Sequence, residues 1–124
     1  MGAFSDFNSQ RPYKVWPGVV ARAFHGQRLT MALVELEPGK PVAEHHHDNE
    51  QLGFVLRGEM EMKIGDETRH LHPGDAYVIP SEVPHSVVRT GPQGCVVADI
   101  FAPVRADWEA AERADPSPGS WPSG

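Results

Sequence analysis

The chain has 124 residues, enough for one domain with one core, and its formal charge of −6 includes no basic stripe; this argues against a nucleic-acid footprint and against docking on anionic lipid. No apolar run approaches the ~18 residues that span a bilayer, and the N-terminus lacks a basic segment followed by an apolar one. Twelve prolines and twelve glycines break up any long helix and suit short strands joined by tight turns.

In chain order, residues 1–14 are polar and mixed and read as an N-terminal arm that orders only by packing on something else. Val19 to Phe24 and Arg28 to Leu36 read as two strands around the turn His25-Gly26-Gln27. Glu37-Pro38-Gly39-Lys40-Pro41 turns the chain into an extended histidine segment. Gln51 to Leu56 is a mostly apolar strand ended by Arg57-Gly58, and Glu59 to Ile64 alternates, with Met60, Met62 and Ile64 inward. Gly65-Asp66 is a hairpin turn into Glu67 to Leu71. A turn at His72-Pro73-Gly74-Asp75 precedes the short strand Ala76 to Ile79. Pro80 and Pro84 bracket a loop that delivers His85 to a strand continuing through Arg89. Gly91-Pro92-Gln93-Gly94 then turns the chain into Val96 to Phe101. Short strands at this spacing predict an all-β sandwich or barrel over residues 15–105. Residues 106–124 read as a short helix over Ala106 to Ala114 with Asp107 as N-cap, then a Pro/Ser/Gly tail that is disordered in isolation.

The densest chemistry lies at His45-His46-His47. On an extended strand, side chains alternate faces, so His45 and His47 share a face and His46 points away. Their spacing of roughly 6.5–7 Å lets both imidazoles lean onto one metal ion. His70 and His72 also share a face and flank a turn, either as exposed polar residues or as a second, weak site. Cys95 is the single cysteine and sits in an apolar stretch. That permits no internal disulfide, suits a reducing cytoplasm, and marks a packed residue rather than a nucleophile.

Two motifs carry a family resemblance. Gly39, His45-x-His47, Gln51 and Gly58 resemble the first motif of the cupin superfamily, in which glutamate is usual where Gln51 stands. Gly74-Asp75, Pro80 and His85 resemble the second, departing from it at Glu82, where glycine is usual, and at Arg89, where asparagine is usual. The resemblance implies a double-stranded β-helix, or jelly-roll, barrel in which His45, His47, Gln51 and His85 hold one divalent transition metal (Zn, Ni, Mn or Fe). It also implies a homodimer, to which the N-terminal arm could add a strand. The run Asn49 to Glu59, the segment Tyr77-Val78-Ile79-Pro80 with Val83-Pro84-His85, and Asp99 to Arg105 look like the KdgF-type cupins of pectin and alginate breakdown. Those proteins open the ring of 4,5-unsaturated monouronates to the linear keto-deoxyuronate, so the resemblance implies a small-molecule substrate.

Glu50 is the rival of Gln51 as fourth ligand, of the wrong parity unless Asp48-Asn49 bend the chain. Three neutral imidazoles and an amide oxygen leave a divalent ion its full charge, which favours Lewis-acid chemistry over oxygen chemistry. Asp99 shares parity with Val97 and Phe101, which points it inward, where burial raises a carboxylate pKa toward the general acid–base range; the alternative is an outward, solvated Asp99. Arg105 is either a bidentate clamp for a substrate carboxylate or the partner of the nearby acidic helix. Trp16, Tyr77 and Phe101 are candidates to stack on a sugar ring or to fill the core. Met31, Met60 and Met62 are expected in the core or lining the cavity, and Trp108 is expected to pack the helix on the barrel. The reading is an enzyme with Asp99 and Arg105 as catalytic groups and Arg105, Phe101 and Tyr77 contacting substrate. Its competitors are a metal-dependent dioxygenase, a polyketide cyclase-type cupin and a non-catalytic ligand-binding cupin.

Overall fold

The computed structural model describes residues 2–121. Within them the strands are β1 (Tyr13–Trp16), β2 (Val19–His25), β3 (Thr30–Leu36), β4 (Val42–His45), β5 (Glu50–Ile64), β6 (Glu67–Leu71), β7 (Ala76–Ile79) and β8 (His85–Ala102). β5 and β8 organise the fold, pairing antiparallel from Glu50↔Ala102 to Ile64↔His85. The first part of β5 pairs with β7 and its second part with β6. The end of β8 pairs with β3, which continues to β2 and β1, and the start of β8 pairs with β4. Because the two long strands bend between both sets of neighbours, the sheet rolls into a β-barrel of the jelly-roll kind.

The bend corrects two sequence boundaries. Arg57-Gly58 and Gly91 to Gly94 interrupt the apolar pattern, yet each lies inside one continuous strand. On β5 the buried positions are Gln51, Gly53 and Val55 before the break and Met60 and Met62 after it, an odd-to-even switch that a bulge must absorb. The register shifts between Val55 and Arg57 and again between Gly58 and Met60. Gly58 has φ 74°, and a Cβ there would meet the Gly94 carbonyl oxygen at 2.2 Å, so two glycines let the strands cross closely at the corner.

Inside, Ala21, Val55, Met60, Ile79, Cys95 and Val97 form the centre of the core. Burial pushes the Cys95 thiol up to about 12, in keeping with a packed rather than reactive side chain. Met60 and Met62 face inward as expected, but Met31 does not: its neighbours Thr30 and Ala32 take the inner face of β3, and Met31 is 47% exposed on the outer one.

The two ends of the chain also depart from expectation. The arm runs directly into β1, whose Tyr13 is buried and pairs with the chain's own β2. The expected helix is a short 3-10 turn, Ala106–Ala110, that starts without a side-chain cap because Asp107 is engaged by Arg105 instead. Trp108 packs it on the barrel against Tyr13 and Phe101. The tail lies along the outer face: Arg22 bonds to Ser117 and Pro118, the Asn8 side chain accepts from Gly119 N and Trp121 Nε1, and Gly119 covers Leu33. Residues 122–124, the end of the predicted tail, lie outside the described residues.

Candidate metal centre and substrate cavity

β4 and β8 place His45 directly opposite His85, and their ring centroids are 4.3 Å apart. His47, two residues past the end of β4, brings its ring to 4.9 Å from His85. His46 turns outward, as its parity requires, and contacts the Glu82 carboxylate at 2.7 Å. Glu82 has φ 65°, a left-handed conformation that explains why glycine is usual in the motif at this position.

The three inward imidazoles share one hydrogen-bond pattern. Nδ1 of His45 lies 2.8 Å from Ala43 O, that of His47 2.9 Å from Asn49 O, and that of His85 2.9 Å from Val83 O. A carbonyl oxygen only accepts, so each neutral ring carries its proton on Nδ1 and presents a lone pair on Nε2. Burial first, then Arg105 and His45, holds His47 below the usual histidine range. Burial, reinforced by His45, His47 and Arg105, pushes His85 down to about 4, so both rings are neutral near pH 7.

Gln51 completes the cluster. It is buried, whereas Glu50 is exposed, and its Oε1 lies 3.1 Å from His47 Nε2. With the His47 proton on Nδ1, that contact opposes two acceptors, an arrangement that a cation between them relieves. Nε2 of His85 is buried and has no hydrogen-bond partner among the described residues. Ligand atoms of His45, His47 and His85 all lie within 4.8 Å of one another. Converging lone pairs with an orphaned buried nitrogen fit a divalent metal ion.

Around this cluster opens a cavity of about 410 Å³, lined by Trp16, Met60, Tyr77, Asp99, Phe101 and Arg105 among others. Asp99 is only 4% exposed and faces inward with Val97 and Phe101. Burial pushes its carboxyl up to about 6, opposed by hydrogen bonds from the Tyr77 hydroxyl and the Gln51 amide and by the Arg105 charge. The Tyr77 hydroxyl donates to Asp99 Oδ1 at 2.6 Å, so this tyrosine positions the carboxylate as well as lining the cavity. Arg105 lies with Cζ 4.7 Å from the centroids of both Phe101 and Trp108, and its fork donates to Asp107 at 3.0 and 2.9 Å. Arg105 thus lines the cavity while its guanidinium pairs with Asp107 of the acidic turn. Trp16 stacks on His45 at 5.4 Å, at the cavity wall.

Gly53 carries weight that the sequence reading did not assign. A Cβ on Gly53 would come 2.1 Å from Asp99 Oδ1 and 2.5 Å from the Tyr77 hydroxyl. An inward-parity glycine between Gln51 and Val55 was the available signal of a close approach. Gly53→Ala is expected to lower stability by about 1–3 kcal/mol through overpacking and to part Tyr77 from Asp99. An unchanged urea midpoint would contradict this.

Residues 32–101 match the cupin domain family, and the chain belongs to that family. Among curated relatives it is similar to the pectin degradation protein KdgF of Dickeya dadantii (strain 3937), 37% identical over 81 residues, covering 64% of this chain and 73% of that protein. The solved structure of KdgF from Halomonas sp. superposes with a TM-score of 0.75 at 31% identity, covering 86% of this chain and 98% of that one. The HTH-type transcriptional regulator PuuR of Escherichia coli (strain K12) is 32% identical over 76 residues, covering 60% of this chain and 41% of the regulator.

Proposed function

We propose that this cupin opens the ring of 4,5-unsaturated monouronates to the linear keto-deoxyuronate, with a divalent transition metal (Zn, Ni, Mn or Fe) held by His45, His47, Gln51 and His85. The observation that carries the reading is that Asp99, Arg105 and the imidazole cluster open into one cavity. The similarity to two KdgF proteins supports the substrate class. When bound to neutral donors, such an ion supplies Lewis-acid polarisation of a carboxylate or ring oxygen.

The chain's own residues do the rest. Arg105, braced between Phe101 and Trp108, binds the substrate carboxylate in competition with Asp107. Phe101 and Tyr77 wall the sugar ring. Asp99, held by Tyr77, gives its proton to C4 of the enol ether; water adds at C5 and returns a proton to the carboxylate. The resulting hemiketal opens to the C5 ketone. A carboxyl near pKa 6 populates both protonation states around neutrality, as this exchange requires.

The test is the ultraviolet absorbance of unsaturated galacturonate: the enol-ether band is expected to disappear with the metal-loaded protein and to persist after chelation. Persistence with the loaded protein would remove the reading. The PuuR match favours one alternative, a cupin that binds a small ligand without converting it, which predicts ligand binding with no absorbance change.

We also infer a homodimer and a cytoplasmic site of action. In support of the first, Met31, Ile100, Leu52 and Val78 stand side by side on the outer face of four paired strands and are 45–51% exposed. Sedimentation velocity is expected to give twice the chain mass. For the second, the single cysteine permits no internal disulfide and suits a reducing compartment.

A further inference from the structure

Away from the cavity, Glu59, His70 and His72 also place one ligand atom each within 4.8 Å of the others. His70 is in β6 and His72 one residue past its end, so the pair repeats the spacing of His45 and His47 while Leu71 between them turns into the core. Their ring centroids are 4.7 Å apart. Glu59 comes from the neighbouring β5, with Oε1 3.2 Å from His70 Nε2. Gly91 makes room for it: a Cβ there would meet Glu59 Cγ at 2.6 Å. Asp75 adds a second carboxylate oxygen 3.8 Å from His72 Nδ1 and accepts from His72 N at 2.8 Å, which fixes the turn.

The donor set differs from the interior one. Two imidazoles and a charged carboxylate, open to solvent, suit Zn²⁺, Ni²⁺ or Cu²⁺ rather than Mg²⁺ or Ca²⁺. We propose that Glu59, His70 and His72 form a second divalent transition-metal site on the outer face of the barrel, independent of the cavity. It is weaker than the interior site, because its side chains are largely exposed and must be ordered by the ion.

Equilibrium dialysis of the untagged full chain against Zn²⁺ tests this. The wild-type protein is expected to bind a tight and a weak equivalent. His70→Ala/His72→Ala, a surface change that leaves the core intact, is expected to lose the weak one alone, and Glu59→Gln to weaken it by roughly tenfold or more. Saturation at a single tight equivalent, or both equivalents surviving in the double variant, would overturn the site. So would a weak equivalent shared by two chains, visible as half-occupancy with zinc-dependent association. If the tight class is missing while the weak one persists and disappears in the double variant, this site stands and the interior metal reading falls.

Discussion

Asp99→Asn is expected to lower turnover of unsaturated uronate by roughly 10²–10⁴-fold while metal content stays at the wild-type level. Asparagine keeps an acceptor for the Tyr77 hydroxyl, and three imidazoles remain to hold the ion, but no group is left to exchange the proton. Loss of metal in this variant would reassign Asp99 to a structural role through Gln51. The same variant carries a stability prediction of opposite sign. Asp99 titrates near 3.8 when unfolded and at about 6 when folded, so the folded state binds the extra proton between those values. A group with a raised acidic pKa contributes stability below the lower value and loses it as pH rises through the upper one. The difference corresponds to about 3 kcal/mol. Metal-free Asp99→Asn is therefore expected to melt above metal-free wild type at pH 8, with the gap closing near pH 4. A gap that is constant across this range would show that the carboxylate is not desolvated as described.

His85→Ala is expected to abolish the tight metal equivalent while leaving the outer-face site untouched. It removes the most buried imidazole, whose Nε2 has no protein partner, so the loss should exceed the roughly 10–100-fold that follows removal of an outer-shell partner. Metal that binds the folded state stabilises it by about 2.7 kcal/mol at a concentration of a hundred times Kd. Wild-type protein should therefore melt higher when metal is added at concentrations that fill the tight site but not the weaker outer one, whereas His85→Ala should not respond. An equal rise in both proteins would place the ion elsewhere.

Much of this site was legible because strand parity is a strict rule. It separates His46 from His45 and His47, aims Asp99 inward with Val97 and Phe101, and sets Met60, Met62 and Ile64 against the core. The cupin motifs add His85 and Gln51, which the β5–β8 register holds at opposite ends of the pair, facing Ile64 and Phe101; they line one cavity only because the bent strands roll into a barrel. Parity fails where its period is interrupted. Nothing local in Arg57-Gly58 distinguishes a bulge within one strand from a turn between two, and the difference lies in the Gly58–Gly94 approach. Met31 was misplaced for a related reason: methionine is compatible with either face, and its neighbours Thr30 and Ala32 are the ones that point in. The chain ends were unreadable because neither segment has a periodic pattern. Each satisfies the other's polar groups, as Lys14 N and Ala114 N do by donating to Glu112 O and Pro12 O. Asp107 fits a cap because it opens an acidic turn, but the same carboxylate is what the Arg105 guanidinium, two residues away, engages in the folded chain.

The protons that orient the three imidazoles are fastened to main-chain oxygens of residues two places away in sequence. Side-chain replacement at Ala43 or Val83 leaves those oxygens where they are, so such changes should drift through related proteins without altering which nitrogen faces the cavity. An insertion or deletion between Ala43 and His45, or between Val83 and His85, moves oxygen and ring apart together. The orientation of the centre is thus insensitive to residue identity at these positions and sensitive to chain length.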